Sequence, residues 1–289
     1  MQIETRSFSK TDQIRKAEAF RKMHDRSRLL LLPNAWDAIS AALFEKAGFR
    51  AIATTSAGVA WALGYTDGEG APVDEIIAAT SRIARAVSVP VTADIEGGFG
   101  NTPQEVAETV SAIIAAGAVG INLEDGTHQA GAPLRSIEDA AARIRAAREA
   151  ASIAGIPIVI NARTDVFTRG EGDEQQRFEI ALHRARSFFA NGADCFFPIG
   201  LSDPKVLAKL VQEVNGPVNT TFKPGVTNIS EMEQAGVARL STATSLATAS
   251  NGYLYDLAQQ LFTKGTFSST TPIFPYPEAQ ALFTSKRNE

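Results

Sequence analysis

Cysteine is nearly absent: Cys195 is the only one in 289 residues. An intrachain disulfide and a thiolate metal cluster are thereby excluded. No run of lysine or arginine stands out, and the net charge is −4, so nothing favours a nucleic-acid surface. No apolar run approaches the roughly 18 residues of a membrane span. The start of the chain carries Arg6, Lys10, Arg15 and Lys16 among acids, without the apolar centre of a secretion signal. A soluble, cytoplasmic protein is the expectation. There is no dinucleotide fingerprint either. Gly97-Gly98-Phe99-Gly100 has the wrong spacing and follows acids instead of opening a helix.

What is present is a regular alternation. Apolar residues make up 44% of the chain, enough for a sizeable core. Residues 10–26 read as a helix, with Ile14, Ala17 and Phe20 at helical spacing. Eight short apolar strands follow, each succeeded by a helix. They start at Leu29, Ala51, Val91, Ala118, Ile156, Asp194, Pro217 and Val237. Ser56 to Gly70 reads as a long loop, and Ser230 as the cap of a short helix. Such alternation gives parallel strands with right-handed crossovers, and eight is the number that closes into a TIM barrel. The expected fold is α/β, a (β/α)8 barrel in one domain, 1–289. Its core spans about 28–245 and a C-terminal helical extension covers about 246–289. An open doubly wound sheet is the alternative.

Polar residues collect at the strand C-termini, the rim that holds active sites in this fold. The central stretch is Val91-Thr92-Ala93-Asp94-Ile95-Glu96-Gly97-Gly98. Strand alternation would put Asp94 and Glu96 on one face, where a hard divalent cation relieves their repulsion. Asn122 and Glu124 end the next strand with the same spacing, and Asn161, Arg163 and Asp165 end the one after. Thr55-Ser56-Ala57-Gly58 follows strand two, and Asn219 lies on strand seven. Arg163 is either a fork for a substrate carboxylate or phosphonate or the ion-pair partner of Asp165 or Glu124. Asn219 either binds substrate or satisfies a backbone group. Asp125 with Gly126 reads equally as a turn, and Asp173-Glu174 as a helix start. His24 and His183 lie in helices and read as packing residues. His128, in the loop after Glu124, is the histidine placed for acid/base work. Cys195 reads as core.

Taken with Leu63-Gly64-Tyr65-Thr66-Asp67 and Gly216-Pro217-Val218-Asn219, these stretches resemble the isocitrate lyase and phosphoenolpyruvate mutase superfamily over roughly residues 28–250. The resemblance implies a barrel whose last helix is swapped between partners, in a dimer of dimers. It implies Mg²⁺, with Mn²⁺ as the alternative, held by Asp94, with Glu96 and Glu124 acting mostly through water. It implies a 2-oxo acid or enolate at Thr55, Ser56 and Ala57, Arg163 on a carboxylate, and Asp67 near the reacting centre. The chemistry so implied makes or breaks a C–C or P–C bond beside pyruvate. The loop after Glu124, Gly126-Thr127-His128-Gln129-Ala130-Gly131, lacks the lysine and cysteine of the isocitrate and methylisocitrate lyases. Strand six carries Pro198-Ile199-Gly200 where those lyases place a glutamate.

The expected activity is therefore that of a Mg²⁺-dependent carbon–carbon lyase, decarboxylase or hydrolase on a small 2-oxo or 2-hydroxy (di)carboxylate. A phosphoenolpyruvate/phosphonopyruvate mutase or phosphonopyruvate hydrolase is the enzymatic rival. A metabolite-binding barrel without catalysis is the third reading. Beyond the barrel, Leu254, Leu257, Leu261 and Phe262 precede a proline-rich connector and a last apolar helix. Apolar residues at helical spacing need a surface to cover, and a homotetramer is the expectation.

Overall fold

The structure is a computed structural model that describes residues 8–127, 131–170, 172–268 and 272–284. Among the described residues nine strands appear: β1 (Leu30–Leu32), β2 (Asn34–Ala35), β3 (Ile52–Thr54), β4 (Val91–Asp94), β5 (Gly120–Glu124), β6 (Val159–Thr164), β7 (Cys195–Pro198), β8 (Asn219–Thr221) and β9 (Arg239–Ser241). The count exceeds eight because Pro33 splits the first strand. Proline has no N–H for a ladder, and the chain changes partner there. β1 pairs with β9 and β2 with β3, all in parallel. The strands run β2-β3-β4-β5-β6-β7 and β1-β9-β8, and a parallel bridge from Phe196 to Val218 links β7 to β8. The two sheets thus join at both ends, in the cyclic order of a (β/α)8 barrel.

Strand alternation sorts the side chains. Ile121 and Leu123 of β5, Ile160 and Ala162 of β6, and Leu240 of β9 join the apolar layer under the helices. The residues between them, Asn122 and Glu124, Asn161 and Arg163, Arg239 and Ser241, face the barrel axis. Helix Pro204–Val214 shows how the outer layer is held. Asp203 caps it, accepting from the Lys205 and Val206 amides, and Leu207, Leu210, Val211 and Val214 are buried. Each such side chain contributes about 1.5–3 kcal/mol.

Two sequence expectations change. Ser56 to Gly70 is not all loop, because Ser56–Leu63 is a helix capped by Thr55 and ended by Gly64 at φ +88°. The short helix Ile229–Gln234 is capped by Asn228 and not by Ser230; the Asn228 side chain accepts from the Ser230 and Glu231 amides.

The helix Lys10–Lys22 crosses the strand starts. Gln13 Nε2 donates to the carbonyls of Ile114 (2.7 Å) and Ala118 (3.0 Å), and Phe20 is fully buried. Just beyond it, His24 Nδ1 donates to the Phe20 carbonyl at 2.9 Å, while its Nε2 is buried without a partner. Burial, aided by the charge of Arg239, pulls the His24 pKa down to about 3. The folded state therefore holds His24 neutral while the unfolded chain takes up a proton below about pH 6.5. Its contribution to stability is complete above that pH and is lost as pH falls from about 6.5 toward 3. The slope is about 1.4 kcal/mol per pH unit, or about 2 kcal/mol by pH 5. Urea midpoints at pH 7, 6 and 5 should show this loss, and His24→Gln should flatten it. Equal slopes in both proteins would refute it.

The C-terminal extension consists of helix Ser245–Lys264, in which only Ala247 is buried, and helix Tyr276–Thr284, in which nothing is. Lys46 reaches Glu278 at 3.5 Å and lies 6.0 Å from the Phe274 ring centroid, and Phe283 packs on the barrel. Among the described residues no helix is long and apolar enough to cross a membrane.

Candidate active site

A cavity of about 180 Å³ opens among the C-terminal strand ends. Its walls include Thr55, Ser56, Ala57, Asp67, Asp94, Asn122 and Arg163. Six of the expected site residues, Thr55, Ser56, Ala57, Asp67, Asp94 and Arg163, thus line it, while Glu96, Glu124 and Asn219 do not. Thr55, Ser56 and Ala57 open the helix after β3. Gly58 does not join them: a Cβ there would lie 2.6 Å from Thr55 Cγ2 and 2.9 Å from Trp36 Cβ. It is a tightly packed glycine outside the cavity lining.

Asp94 is the carboxylate presented to the cavity. Its amide is held by Thr54 Oγ1 at 2.8 Å, and its Oδ1 accepts from Asn122 Nδ2 at 3.0 Å. Glu96 is not beside it on the same strand face. β4 ends at Asp94, and Glu96 takes a left-handed φ of +51°, a conformation that costs a non-glycine residue energy and clusters at functional sites. Its carboxylate turns to the Glu69 amide at 2.7 Å, and Glu69 in turn accepts from the Phe99 amide at 2.8 Å. Glu69 and Phe99 are left-handed too. This clasp fixes the segment carrying Asp67. Burial, then the Asp94 charge, pushes the Glu96 carboxyl up to about 8. From below, Arg143, nearly fully buried, donates to the carbonyls of Gly100 (2.9 Å) and Asn101 (2.6 Å) and fixes the glycine turn.

Glu124 and Arg163 are joined. Arg163 Nη1 lies 2.6 Å from Glu124 Oε2, while its Nε and Nη2 grip Asp165 at 2.7 and 3.1 Å. Burial pushes the Glu124 carboxyl well above its usual range despite Arg163. Burial also opposes the charge on Arg163, but Glu124 and Asp165 outweigh it and hold the guanidinium protonated. The fork expected for a substrate carboxylate is thus engaged by the protein's own acids. Asp125 is no solvent turn: it is buried, bonded to Arg184 at 2.9 Å and to the Asp165 amide at 2.9 Å. Asn219 is fully buried behind the cavity, its Oδ1 bonded to Ser241 Oγ at 3.2 Å and its Nδ2 without a partner. Cys195 is core, its thiol pushed up to about 12 by burial. His128 lies outside the described residues. Among the described residues no three His, Cys, Asp or Glu side chains form a ready-made metal cage.

The sequence reading missed several wall residues, Asn34, Phe197, Ile199 and Thr244 among them, and on β9 it missed Arg239 and Ser241. Their spacing of two was the available signal.

The Phosphoenolpyruvate phosphomutase family profile matches residues 20–262. The chain belongs to this family. An uncharacterized protein of Mycobacterium tuberculosis H37Rv is 32% identical over 271 residues, covering 93% of this chain and 98% of that one. The 2-methylisocitrate lyase of Escherichia coli K12 is 29% identical over 239 residues, covering 80% and 75%. A crystal structure from Burkholderia cenocepacia J2315 is 40% identical, with a TM-score of 0.82 over 85% of this chain and 99% of that one. Oxaloacetate acetylhydrolase with bound oxalate, 23% identical with a TM-score of 0.83 over 96% of each chain, shares the fold. Relatives of this phosphomutase-family chain thus include proteins named 2-methylisocitrate lyase and carboxyvinyl-carboxyphosphonate phosphorylmutase.

Proposed function

We propose that the chain is a divalent-cation-dependent enzyme that makes or breaks a C–C bond beside the enolate carbon of a small 2-oxo or 2-hydroxy acid. The observation that carries this reading is Asp94, a carboxylate held by Thr54 and Asn122 on the wall of a cavity among the strand ends. The donor set suits a hard cation, since it is all oxygen. Asp94 would hold Mg²⁺ or Mn²⁺ directly, with Glu96 and Glu124 behind it through water. Such a cation, when bound, supplies positive charge where an enolate oxygen develops.

The chain's own residues do the rest. Thr55, Ser56 and Ala57 lie at the start of helix Ser56–Leu63, where the Ser56 amide already points at Asp94 Oδ2 (3.4 Å) and the positive helix end suits a carboxylate oxygen. Arg163, fixed by Asp165 and Glu124, lends charge to the developing anion without having to reorganise. Asp67 on the cavity wall is the group within reach for proton transfer. The cavity is smaller than the about 300–1,000 Å³ usual for larger ligands, which favours a substrate of a few carbons.

Incubating the protein with Mg²⁺ and oxaloacetate, isocitrate, methylisocitrate or phosphonopyruvate tests this, with pyruvate or glyoxylate formation as readout. Turnover of a carbon acid supports it, and turnover of phosphonopyruvate alone would favour the mutase or hydrolase reading. Thermal stabilisation without turnover of any would mark a binding protein. Arg163→Lys keeps the charge and loses the fork. Affinity for the 2-oxo acid should drop at least about tenfold, the scale of one charged hydrogen bond; an unchanged affinity would leave Arg163 a purely structural role.

A further inference from the structure

The cavity floor contains a guanidinium two of whose nitrogens, Nε and Nη1, find no acceptor in the protein. Arg239 on β9 is 2% exposed, and its Nε and Nη1 have no hydrogen-bond partner. Its neighbour Leu240 packs outward into the apolar layer, so Arg239 and Ser241 point inward, and both line the cavity. Asn219, its register partner on β8, adds a second buried donor without an acceptor, Nδ2.

Buried charges in proteins are paired, and a buried donor without an acceptor is costly. The Asp94 charge acts on Arg239 across the cavity, but its oxygens accept from the Asn122, Ser56 and Glu96 nitrogens and not from Arg239 Nε or Nη1. The Cys195 thiol stays protonated, pushed up to about 12, and His24 stays neutral, pulled down to about 3. Burial lowers Arg239 itself only to about 10, so it is charged at neutral pH. Arg163 differs in kind, because Glu124 and Asp165 already hold it.

We infer that Arg239 is an anion-binding residue on the cavity floor, and that the ligand of this site carries two anionic groups, one of them buried against Arg239 and the Asn219 amide. A monoanion at the start of helix Ser56–Leu63 would leave the floor donors unpaired, and one on the floor would leave the helix start without its anion. The two donors suit a carboxylate or a phosphonate alike. This rests on the cavity proposed above as the substrate site but not on its metal.

The test uses malonate and phosphonoacetate as dianionic probes and acetate as the monoanion, in chloride-free buffer with EDTA, by calorimetry. At least one dianion should bind the wild type at least about tenfold more tightly than acetate, the scale of one charge-assisted hydrogen bond. Which one does so identifies the second group. Arg239→Met should abolish that advantage, and without ligand it should melt no lower than wild type, because it removes an unpaired buried charge. Should Arg239→Met not fold, Arg239→Lys decides, since loss of the planar fork should cut the advantage at least about threefold. EDTA keeps any cation out of every arm, which separates this inference from the metal reading. Equal binding of acetate and both dianions to wild type would overturn it. So would an advantage that survives the Arg239 substitutions unchanged.

Discussion

Replacing Asp94 with alanine should remove all Mg²⁺-dependent thermal stabilisation and reduce turnover to background while the barrel stays folded. Of the three acids proposed for the cation, Asp94 is the one that lines the cavity, whereas Glu96 is turned to the Glu69 amide and Glu124 to Arg163. The loss therefore falls on one residue and is not shared among three. At ten to a hundred times its dissociation constant a cation stabilises by about 1.4–2.7 kcal/mol, several degrees in melting temperature. That shift should be present in wild type and absent in the variant. Turnover should fall at least about a thousandfold if the cation supplies several kcal/mol of transition-state stabilisation. Folding should survive because the substitution deletes a negative charge that presses on Glu96 and Glu124, and the bonds it forfeits are few. A variant that retains the wild-type Mg²⁺ shift would move the cation site away from Asp94.

The sequence made the barrel legible because each strand is a short apolar run with glycine or proline near its ends, and because polar residues gather at one end of these runs. Asn122 with Glu124 and Asn161 with Arg163 followed strand alternation into the barrel as their spacing required. Glu96 did not, because the strand stops at Asp94 and a left-handed residue breaks the period. Backbone of that kind has no apolar periodicity to announce it. Helix Ser56–Leu63 was hidden for a related reason. Its alanines and glycine form no apolar stripe, and only the Thr55 cap and Gly64 stop mark it. Arg239 was the least legible residue of the site. In Val237-Ala238-Arg239-Leu240-Ser241 a lone arginine reads as an ordinary solvent-facing charge. Only ring closure, which pairs β9 with both β1 and β8, turns it onto the axis. The ion pairs of Arg163 show a different limit. Spacing placed it beside Glu124 and Asp165, but whether a fork grips protein or substrate depends on sub-ångström geometry that spacing does not contain.

The second large effect should come from the C-terminal extension. Cutting the chain before Leu254 should give a protein that aggregates or is monomeric and melts earlier. The barrel is complete at β9, yet helix Ser245–Lys264 exposes Leu254 (65%), Tyr255 (67%) and Phe262 (90%), and the connector exposes Ile273 (74%). The terminal helix meets its own barrel through Lys46 and Phe283, contacts that leave this apolar surface open. A contiguous patch of such residues marks an interface, and covering each large side chain contributes about 1.5–3 kcal/mol. We propose that a second copy covers it, with the extension exchanged between copies, since exchanging an identical element is a low-cost route to association. The connector's Pro272 and Pro275 favour extended reach over a tight return. A dimer of dimers meets both the surface and the exchange. Light scattering at micromolar concentration should therefore find a tetramer for the full chain. Phe262→Asp with Leu254→Asp should dissociate it while leaving the barrel's circular dichroism intact. A full-length chain that stays monomeric and thermally stable at that concentration would rule the assembly out, and the exposed face would then have to be covered by some other surface.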